Sequence, residues 1–207
     1  MALTLRVSPH SPDPAIIREA AQMLRAGLVV AYPTDTLYGL AVDPRNAEAV
    51  RRLFALKGRP ETSALTLIAA GREQVMDCAE MSAHGERLAA GFWPGPLTIL
   101  LRAKPVVAAD VLAGGTTVGV RVPAHPVAVA LARAAGVCIT ATSANRSGQP
   151  PATTADGVAA ALPGIDAIVD GGPARGGPPS TIVDASERDV TLVRAGAVPF
   201  ERVLNSL

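Results

Sequence analysis

The chain has 207 residues and a formal net charge of +1, and 49% of its residues are apolar. This composition is typical of a folded α/β protein and excludes a disordered one. The length suits one large domain, and we expect a single domain over residues 1–207 with no additional C-terminal domain. A charge near zero excludes a global basic field, so any anion site must be local.

The sequence also predicts a cytoplasmic protein. Its apolar stretches, such as residues 97–101, are much shorter than the roughly 20 residues of a membrane span. Arg6 and Asp13 interrupt any signal-peptide core near the N-terminus. Cys78 and Cys138 lack the spacing of a metal site, so we interpret them as two reduced structural thiols.

The first elements in chain order are a helix, a strand and a second helix. Asp13 followed by Pro14 is a helix-start pattern, and Gly27 ends that helix. A buried strand is predicted at residues 28–31, and a polar loop, 32–40, follows it. Asn46 begins the second predicted helix, which runs to Leu56, with Gly58 just past its end.

The remaining elements alternate in the same way. Further strands are predicted at 65–69, 97–102, 118–122, 137–141, 167–169, 181–183 and 190–193, and helices around 73–78, 85–91, 126–135 and 154–162. Alternation of this kind predicts an α/β fold, a twisted mixed sheet with packed helices.

Several common catalytic motifs are absent. Residues 114–120 lack the Lys-Ser/Thr of a P-loop, and no G-x-G-x-x-G follows the first strand. The hydrolase pattern G-x-S-x-G is missing. His125 precedes Pro126 and is better explained as a helix-start residue than as a base. No metal-ligand spacing occurs, so we predict no metal site formed by the protein.

Lys57 and Arg59 flank a glycine directly after the second helix. Both cations can turn toward one anion, since arginine offers a planar fork and lysine a mobile point charge. A solvated helix end, favoured by the helix dipole, is the alternative.

Hydroxyl and amide side chains are concentrated in residues 140–148, Thr-Ala-Thr-Ser-Ala-Asn-Arg-Ser-Gly, after a predicted buried strand. A network of caps and turns would explain them, but strand ends of open α/β sheets are also where ligands bind. Arg121 lies within an apolar strand, where it needs either a structural ion pair or a substrate carboxylate. Arg194, at the end of the last predicted strand, allows the same two interpretations.

The joint order of these segments resembles the YrdC/TsaC family, the threonylcarbamoyl-AMP synthases. The resemblance extends over residues 32–196. The matching segments are 33–40 (PTDTLYGL), 57–60 (KGRP), 93–98 (WPGPLT), 120–126 (VRVPAHP), 143–148 (SANRSG), 180–184 (STIVD) and 193–196 (VRAG). The family often has Glu where Asp35 stands.

The resemblance implies a YrdC-like fold with a concave, positively charged cavity, in the short single-domain form. It implies an L-threonylcarbamoyladenylate synthase, a nucleotidyltransferase. From L-threonine, bicarbonate and ATP this enzyme forms threonylcarbamoyl-AMP and pyrophosphate, for the threonylcarbamoyladenosine (t6A) at position 37 of tRNA. Mg²⁺ would arrive with the nucleotide. Separate proteins would transfer the product to tRNA, and the chain itself would bind tRNA weakly.

The resemblance also implies roles for individual residues. Lys57 and Arg59 would be catalytic. The ATP contacts would be Lys57, Arg59, Thr117, Ser143, Asn145 and Arg194, and the threonine contacts Thr34 or Thr36, Ser63, Arg121, Ala141 through its backbone, and Ser180. Two alternatives stay open: a module that binds structured RNA, and a related carbamoyl-transfer domain of the same fold. The near-zero charge and the few aromatic side chains weigh against the first.

Overall fold

The computed structural model describes residues 2–60 and 62–207, which form a mixed α/β fold. The strands are β1 (Leu3–Arg6), β2 (Val30–Pro33), β3 (Tyr38–Ala41), β4 (Thr66–Ile68), β5 (Ala79–Glu80), β6 (Leu97–Ala103), β7 (Thr117–Arg121), β8 (Ile139–Thr140), β9 (Thr142–Ser143), β10 (Ala167–Asp170), β11 (Thr181–Asp184) and β12 (Thr191–Arg194). The helices are α1 (Pro14–Arg25), α2 (Ala47–Lys57), α3 (Arg72–Cys78), α4 (Ala83–Phe92), α5 (Ala109–Leu112), α6 (Pro126–Ala135), α7 (Ala155–Ala161) and α8 (Phe200–Leu204).

The strands form two mixed sheets. One has the order β1-β10-β2-β3-β9, and the other has the order β12-β11-β6-β7-β4-β8, with β5 paired to β6. Parallel and antiparallel neighbours occur in both, for example β10 with β2 and β2 with β3. The predicted α/β class with mixed sheets and packed helices is therefore confirmed.

Three helix starts follow from the predicted capping residues. The Asp13 carboxylate accepts a hydrogen bond from the Ala15 N–H at 2.7 Å, and the Asn46 side chain accepts one from the Ala49 N–H at 3.1 Å. His125 Nδ1 accepts a hydrogen bond from Val127 N–H at 3.3 Å, which makes it the cap of α6. The interpretation of His125 as a helix-start residue is confirmed.

The predicted strand 137–141 is divided at Ala141. Its first part, β8, pairs with β4 in one sheet, whereas β9 pairs with β3 in the other. The strand predicted at 28–31 likewise lies two residues later, because β2 pairs through Pro33 with β3, a strand that the sequence did not indicate. The bounds of these strands depend on pairing with segments distant in the sequence. A local run of apolar residues does not show which segment a strand pairs with.

Apolar side chains fill both faces of the β2 strand. Val30 and Tyr32 belong to the cluster that includes α1 and α6, whereas Ala31 belongs to the larger cluster between the sheets and the other helices. Cys78 and Cys138 are buried free thiols with their Sγ atoms 3.1 Å apart. Among the described residues, no helix combines the length and apolar character that a membrane crossing would require.

Candidate active site

A cavity of about 550 Å³ opens where strand ends of the two sheets meet. This volume lies in the range of small-molecule sites. Eight residues predicted for the site line it: Thr34, Thr36, Arg59, Arg121, Ala141, Ser143, Ser180 and Arg194. The structure thus brings together residues that are up to 160 positions apart in the sequence.

Four other predicted residues are not among those that line the cavity: Lys57, Ser63, Thr117 and Asn145. Ser63 lies next to the lining residue Ala64 and donates its N–H to the Pro60 carbonyl at 3.1 Å. Thr117 begins β7, whereas Arg121 ends it, so the two are roughly 13 Å apart along the strand. Direct ligand contacts by these four residues, and the catalytic role of Lys57, stay predictions.

The loop between β2 and β3 is held by the Thr34 hydroxyl. Its Oγ1 donates to the Leu37 carbonyl at 2.7 Å and accepts from the N–H groups of Thr36 and Leu37, both at 3.2 Å. The hydroxyl proton of Thr34 is therefore used within the loop. Thr36, whose Oγ1 lies 3.3 Å from that of Thr34, is the freer hydroxyl toward a ligand.

Arg121 forms the ion pair that its position in an apolar strand requires. Its Nη1 donates to Asp35 Oδ1 at 2.9 Å and Oδ2 at 3.2 Å, and both side chains are largely buried. Within residues 2–60 and 62–207, all hydrogen bonds of the Arg121 side chain come from Nη1. Asp35 therefore compensates the charge while Nε and Nη2 are left for a ligand at the cavity surface.

Arg59 reaches the cavity from the end of α2. Its Nη1 donates to Thr142 Oγ1 at 3.0 Å, and its Nη2 donates to the Ala64 carbonyl at 2.9 Å. Burial lowers the pKa of this guanidinium. No carboxylate pairs with it among the described residues, so its charge remains available to an anion.

Lys57 lies behind the cavity wall and is only 3% exposed, which excludes a solvated helix end for this residue. Its Nζ donates to the carbonyls of Ser143 and Asn145, the latter at 3.0 Å. The Ser147 N–H donates in return to the Lys57 carbonyl at 2.9 Å. Burial, and secondarily the Arg59 charge, lowers the pKa of Lys57 from 10.5 to about 8.

Asn145 supports the same segment. Its Nδ2 donates to the carbonyls of Arg146 and Gln149 at 2.8 and 2.7 Å, while its buried Oδ1 has no partner among the described residues. Lys57 and Asn145 thus hold residues 143–149 in one conformation. This segment contributes Ser143 to the cavity wall.

Ser180 and Arg194 contact each other in the cavity wall. Arg194 Nη2 donates to the Ser180 carbonyl at 2.7 Å and to its Oγ at 3.2 Å. Burial, followed by the positive charge of Arg121, lowers the pKa of Arg194. Two guanidinium groups close enough to influence each other favour an anionic ligand between them.

Ala141 stands at the crossover between the two sheets. Its N–H donates to the Thr66 carbonyl, and its carbonyl accepts from Thr66 Oγ1, both at 2.8 Å. Only the second lone pair of that carbonyl is left, so any backbone contact of Ala141 with a ligand would be as an acceptor.

Sequence reasoning missed three threonines of the wall: Thr66, Thr98 and Thr142. The signal that identified Arg121 could have found Thr98, since it is also a polar residue within an apolar strand, β6. Thr66 and Thr142 stand at strand ends, where sequence alone does not show which way a hydroxyl points.

The wall contains three arginines and, in the part of the chain that the structure describes, no Asp or Glu. Residues 2–60 and 62–207 contain no group of three or more His, Cys, Asp or Glu side chains placed to hold a metal ion. The site is therefore suited to binding anions.

Comparisons with known proteins identify the family of the chain. The family model Sua5_yciO_yrdC, described as "Telomere recombination", matches residues 22–196. The threonylcarbamoyl-AMP synthase of Pyrococcus abyssi is 42% identical over 189 residues, which are 90% of this chain and 56% of that protein. The synthase of Alkalilimnicola ehrlichii is 44% identical over 174 residues, 82% of this chain and 90% of that protein.

Solved structures give the same result. The structure of P. abyssi Sua5 complexed with L-threonine matches with a TM-score of 0.92 at 38% identity, covering 100% of this chain and 61% of that one. The chain spans 56% and 58% of the lengths of its P. abyssi and Bacillus subtilis relatives. From its matched residues and its fold, this chain belongs to the Sua5/YciO/YrdC family.

Proposed function

We propose that the chain is an L-threonylcarbamoyladenylate synthase. It forms threonylcarbamoyl-AMP and pyrophosphate from L-threonine, bicarbonate and ATP, for t6A at position 37 of tRNA. The observation that carries the proposal is the cavity with three arginines, in which Arg121 is fixed by Asp35 and retains free N–H groups. The names of the relatives, and the threonine complex of the P. abyssi protein, support it.

The amino-acid side of the cavity centres on Arg121. Its free Nε and Nη2 suit the planar geometry of the threonine carboxylate. Thr36, Ser180 and the Ala141 carbonyl would be further polar contacts from the cavity wall, with Thr34 acting through the loop. Ser63 does not line the cavity, so it would have to contact the bound threonine from its position next to the lining residue Ala64.

The nucleotide side centres on Arg59 and Arg194. Both guanidinium groups line the cavity together with Ser143, and burial lowers the pKa of each. Lys57 and Asn145 contribute by holding the segment that carries Ser143. Mg²⁺ would be carried by the phosphates of ATP, because no carboxylate of residues 2–60 and 62–207 lines the cavity.

The chemistry requires no covalent enzyme intermediate. The neutral threonine amine attacks the carbon of bicarbonate, giving a carbamate with loss of water, or attacks CO₂ derived from bicarbonate, giving the same carbamate with loss of a proton. A carbamate oxygen then attacks the α-phosphorus of ATP, the bond to the bridging oxygen breaks, and pyrophosphate leaves. The arginines position the anions and neutralise charge that develops on the phosphate.

The proposal extends to localisation and partners. The enzyme would work in the cytoplasm and pass its labile adenylate to separate proteins that transfer the threonylcarbamoyl group to tRNA. Direct binding of tRNA would be weak, because the net charge of +1 gives no extended basic surface.

The test is pyrophosphate release from ATP, measured with and without L-threonine and with and without bicarbonate. We expect release to require both, and to be accompanied by formation of threonylcarbamoyl-AMP. Arg121→Ala should raise the KM for threonine more than that for ATP, whereas Arg59→Ala should do the opposite. Release that does not depend on threonine would refute the synthase proposal, and equal losses in both variants would refute the division of the cavity.

A further inference from the structure

Thr98 is a buried hydroxyl residue at the edge of the cavity. It lies in β6, is only 2% exposed, and contributes to the cavity wall. Its Oγ1 donates a hydrogen bond to Ser180 Oγ at 2.9 Å. A buried threonine within an apolar strand could satisfy its hydroxyl by donating to a backbone carbonyl. The hydrogen bond to the Ser180 side chain instead suggests that Thr98 orients this serine.

The Ser180 hydroxyl receives two hydrogen bonds. One comes from Thr98 Oγ1 and the other from Arg194 Nη2 at 3.2 Å. A hydroxyl oxygen has two lone pairs and one proton, so both acceptor sites of Ser180 are occupied. Its proton must point away from both donors, and the open direction is the cavity that Ser180 lines.

The backbone around Ser180 is held firmly. A Cβ on Gly196 would lie 2.3 Å from the Pro179 carbonyl oxygen and 2.5 Å from Ser180 C, so the two segments can approach only because residue 196 is glycine. Thr181 Oγ1 donates to the Val198 carbonyl at 2.6 Å. The Ser180 hydroxyl is thus fixed through its backbone as well as through its two hydrogen-bond donors.

From this geometry we infer that Thr98 is a positioning residue that makes Ser180 a dedicated hydrogen-bond donor to an anionic oxygen of a bound substrate. The inference rests on the proposed function. It excludes the threonine ammonium as the partner of Ser180, because that group can only donate. Arg121 and Arg194 stand beside this corner, so the partner is an oxyanion, either a carboxylate or carbamate oxygen of the amino acid or a phosphate oxygen of the nucleotide.

The experiment measures equilibrium binding of L-threonine and of ATP by isothermal titration calorimetry, in separate titrations. Thr98→Val keeps the branched shape but removes the donor, and Thr98→Ser keeps the donor. We expect Thr98→Val to bind threonine about fivefold to tenfold more weakly, with ATP binding unchanged, and Thr98→Ser to stay within about twofold of the unmodified protein. Weaker binding of ATP instead would support the same role and identify the oxyanion as a phosphate.

A double-mutant cycle separates positioning from a structural effect. If Thr98 acts through Ser180, adding Thr98→Val to Ser180→Ala should cause no further loss of affinity. Additive losses, or full affinity for both substrates in Thr98→Val, would overturn the inference while leaving the proposed function intact. Failure of the unmodified protein to bind either substrate would overturn both. Thr98→Ala, which also removes the donor, gives the same comparison if the valine variant does not fold.

Discussion

The burial of Lys57 predicts a specific pH dependence of stability. The folded protein lowers the pKa of this ammonium from 10.5 to about 8, mainly through burial. In the unfolded chain the group titrates near its ordinary value. Between about pH 8 and 10.5 the unfolded state therefore holds more protons at this site, so the Lys57 contribution to the free energy of unfolding rises with pH.

The size of the effect follows from the shift. At 1.36 kcal/mol per unit of pKa, a shift of this size is worth about 3 kcal/mol, of which about 2–3 kcal/mol is recovered between pH 7 and pH 10. The neutral amine keeps two N–H groups, so its hydrogen bonds to the carbonyls of Ser143 and Asn145 can persist.

The assay is urea unfolding of the unmodified protein and of Lys57→Met at several pH values from 7 to 10. Tyrosines and cysteines of the unfolded chain also titrate near this range, but they are common to both proteins and cancel in the difference. We expect the free energy of the unmodified protein, relative to the variant, to rise by about 2–3 kcal/mol across this range.

A matched control is Lys104→Met, which removes the only other lysine. Lys104 donates to the Met76 carbonyl near the surface, away from residues 143–149. Its pH profile should parallel that of the unmodified protein. If Lys57→Met also gives a parallel profile, the ammonium is not held in a buried site and the described role of Lys57 is wrong.

Two further predictions concern Asp35 and Gly119, which contact residues of the cavity wall. Asp35→Asn should weaken threonine binding in calorimetry about tenfold, because Arg121 loses the carboxylate that orients it. Asp35→Glu keeps a carboxylate and should restore most of the affinity. Unchanged binding in Asp35→Asn would contradict this role of Asp35. Gly119→Ala should lower the free energy of unfolding in urea by about 1–3 kcal/mol, because three side-chain carbons already lie 3.0 Å from the added Cβ. Gly91→Ala, in α4 with no atom within 4 Å, should be neutral or stabilising, and equal effects of the two changes would contradict the packing described for Gly119.

The sequence alone determined the local elements with strong signals. Asp13-Pro14, Asn46 with Gly58, and His125-Pro126 carry their own capping chemistry, so α1, α2 and α6 begin where the pattern predicts. It also indicated that Arg121 needs a partner, since a guanidinium in an apolar strand cannot remain uncompensated. The α/β class follows from the alternation of predicted strands and helices along the chain.

Only the tertiary structure decided which partner each group has. Arg121 meets Asp35, 86 positions away, and Lys57 turns to the carbonyls of Ser143 and Asn145 instead of pointing into the cavity beside Arg59. The division at Ala141 likewise depends on pairing with β4 and β3. Charge, polarity and capping are properties of short segments, whereas the direction of a side chain and its partner depend on contacts between distant segments, which a single sequence does not contain.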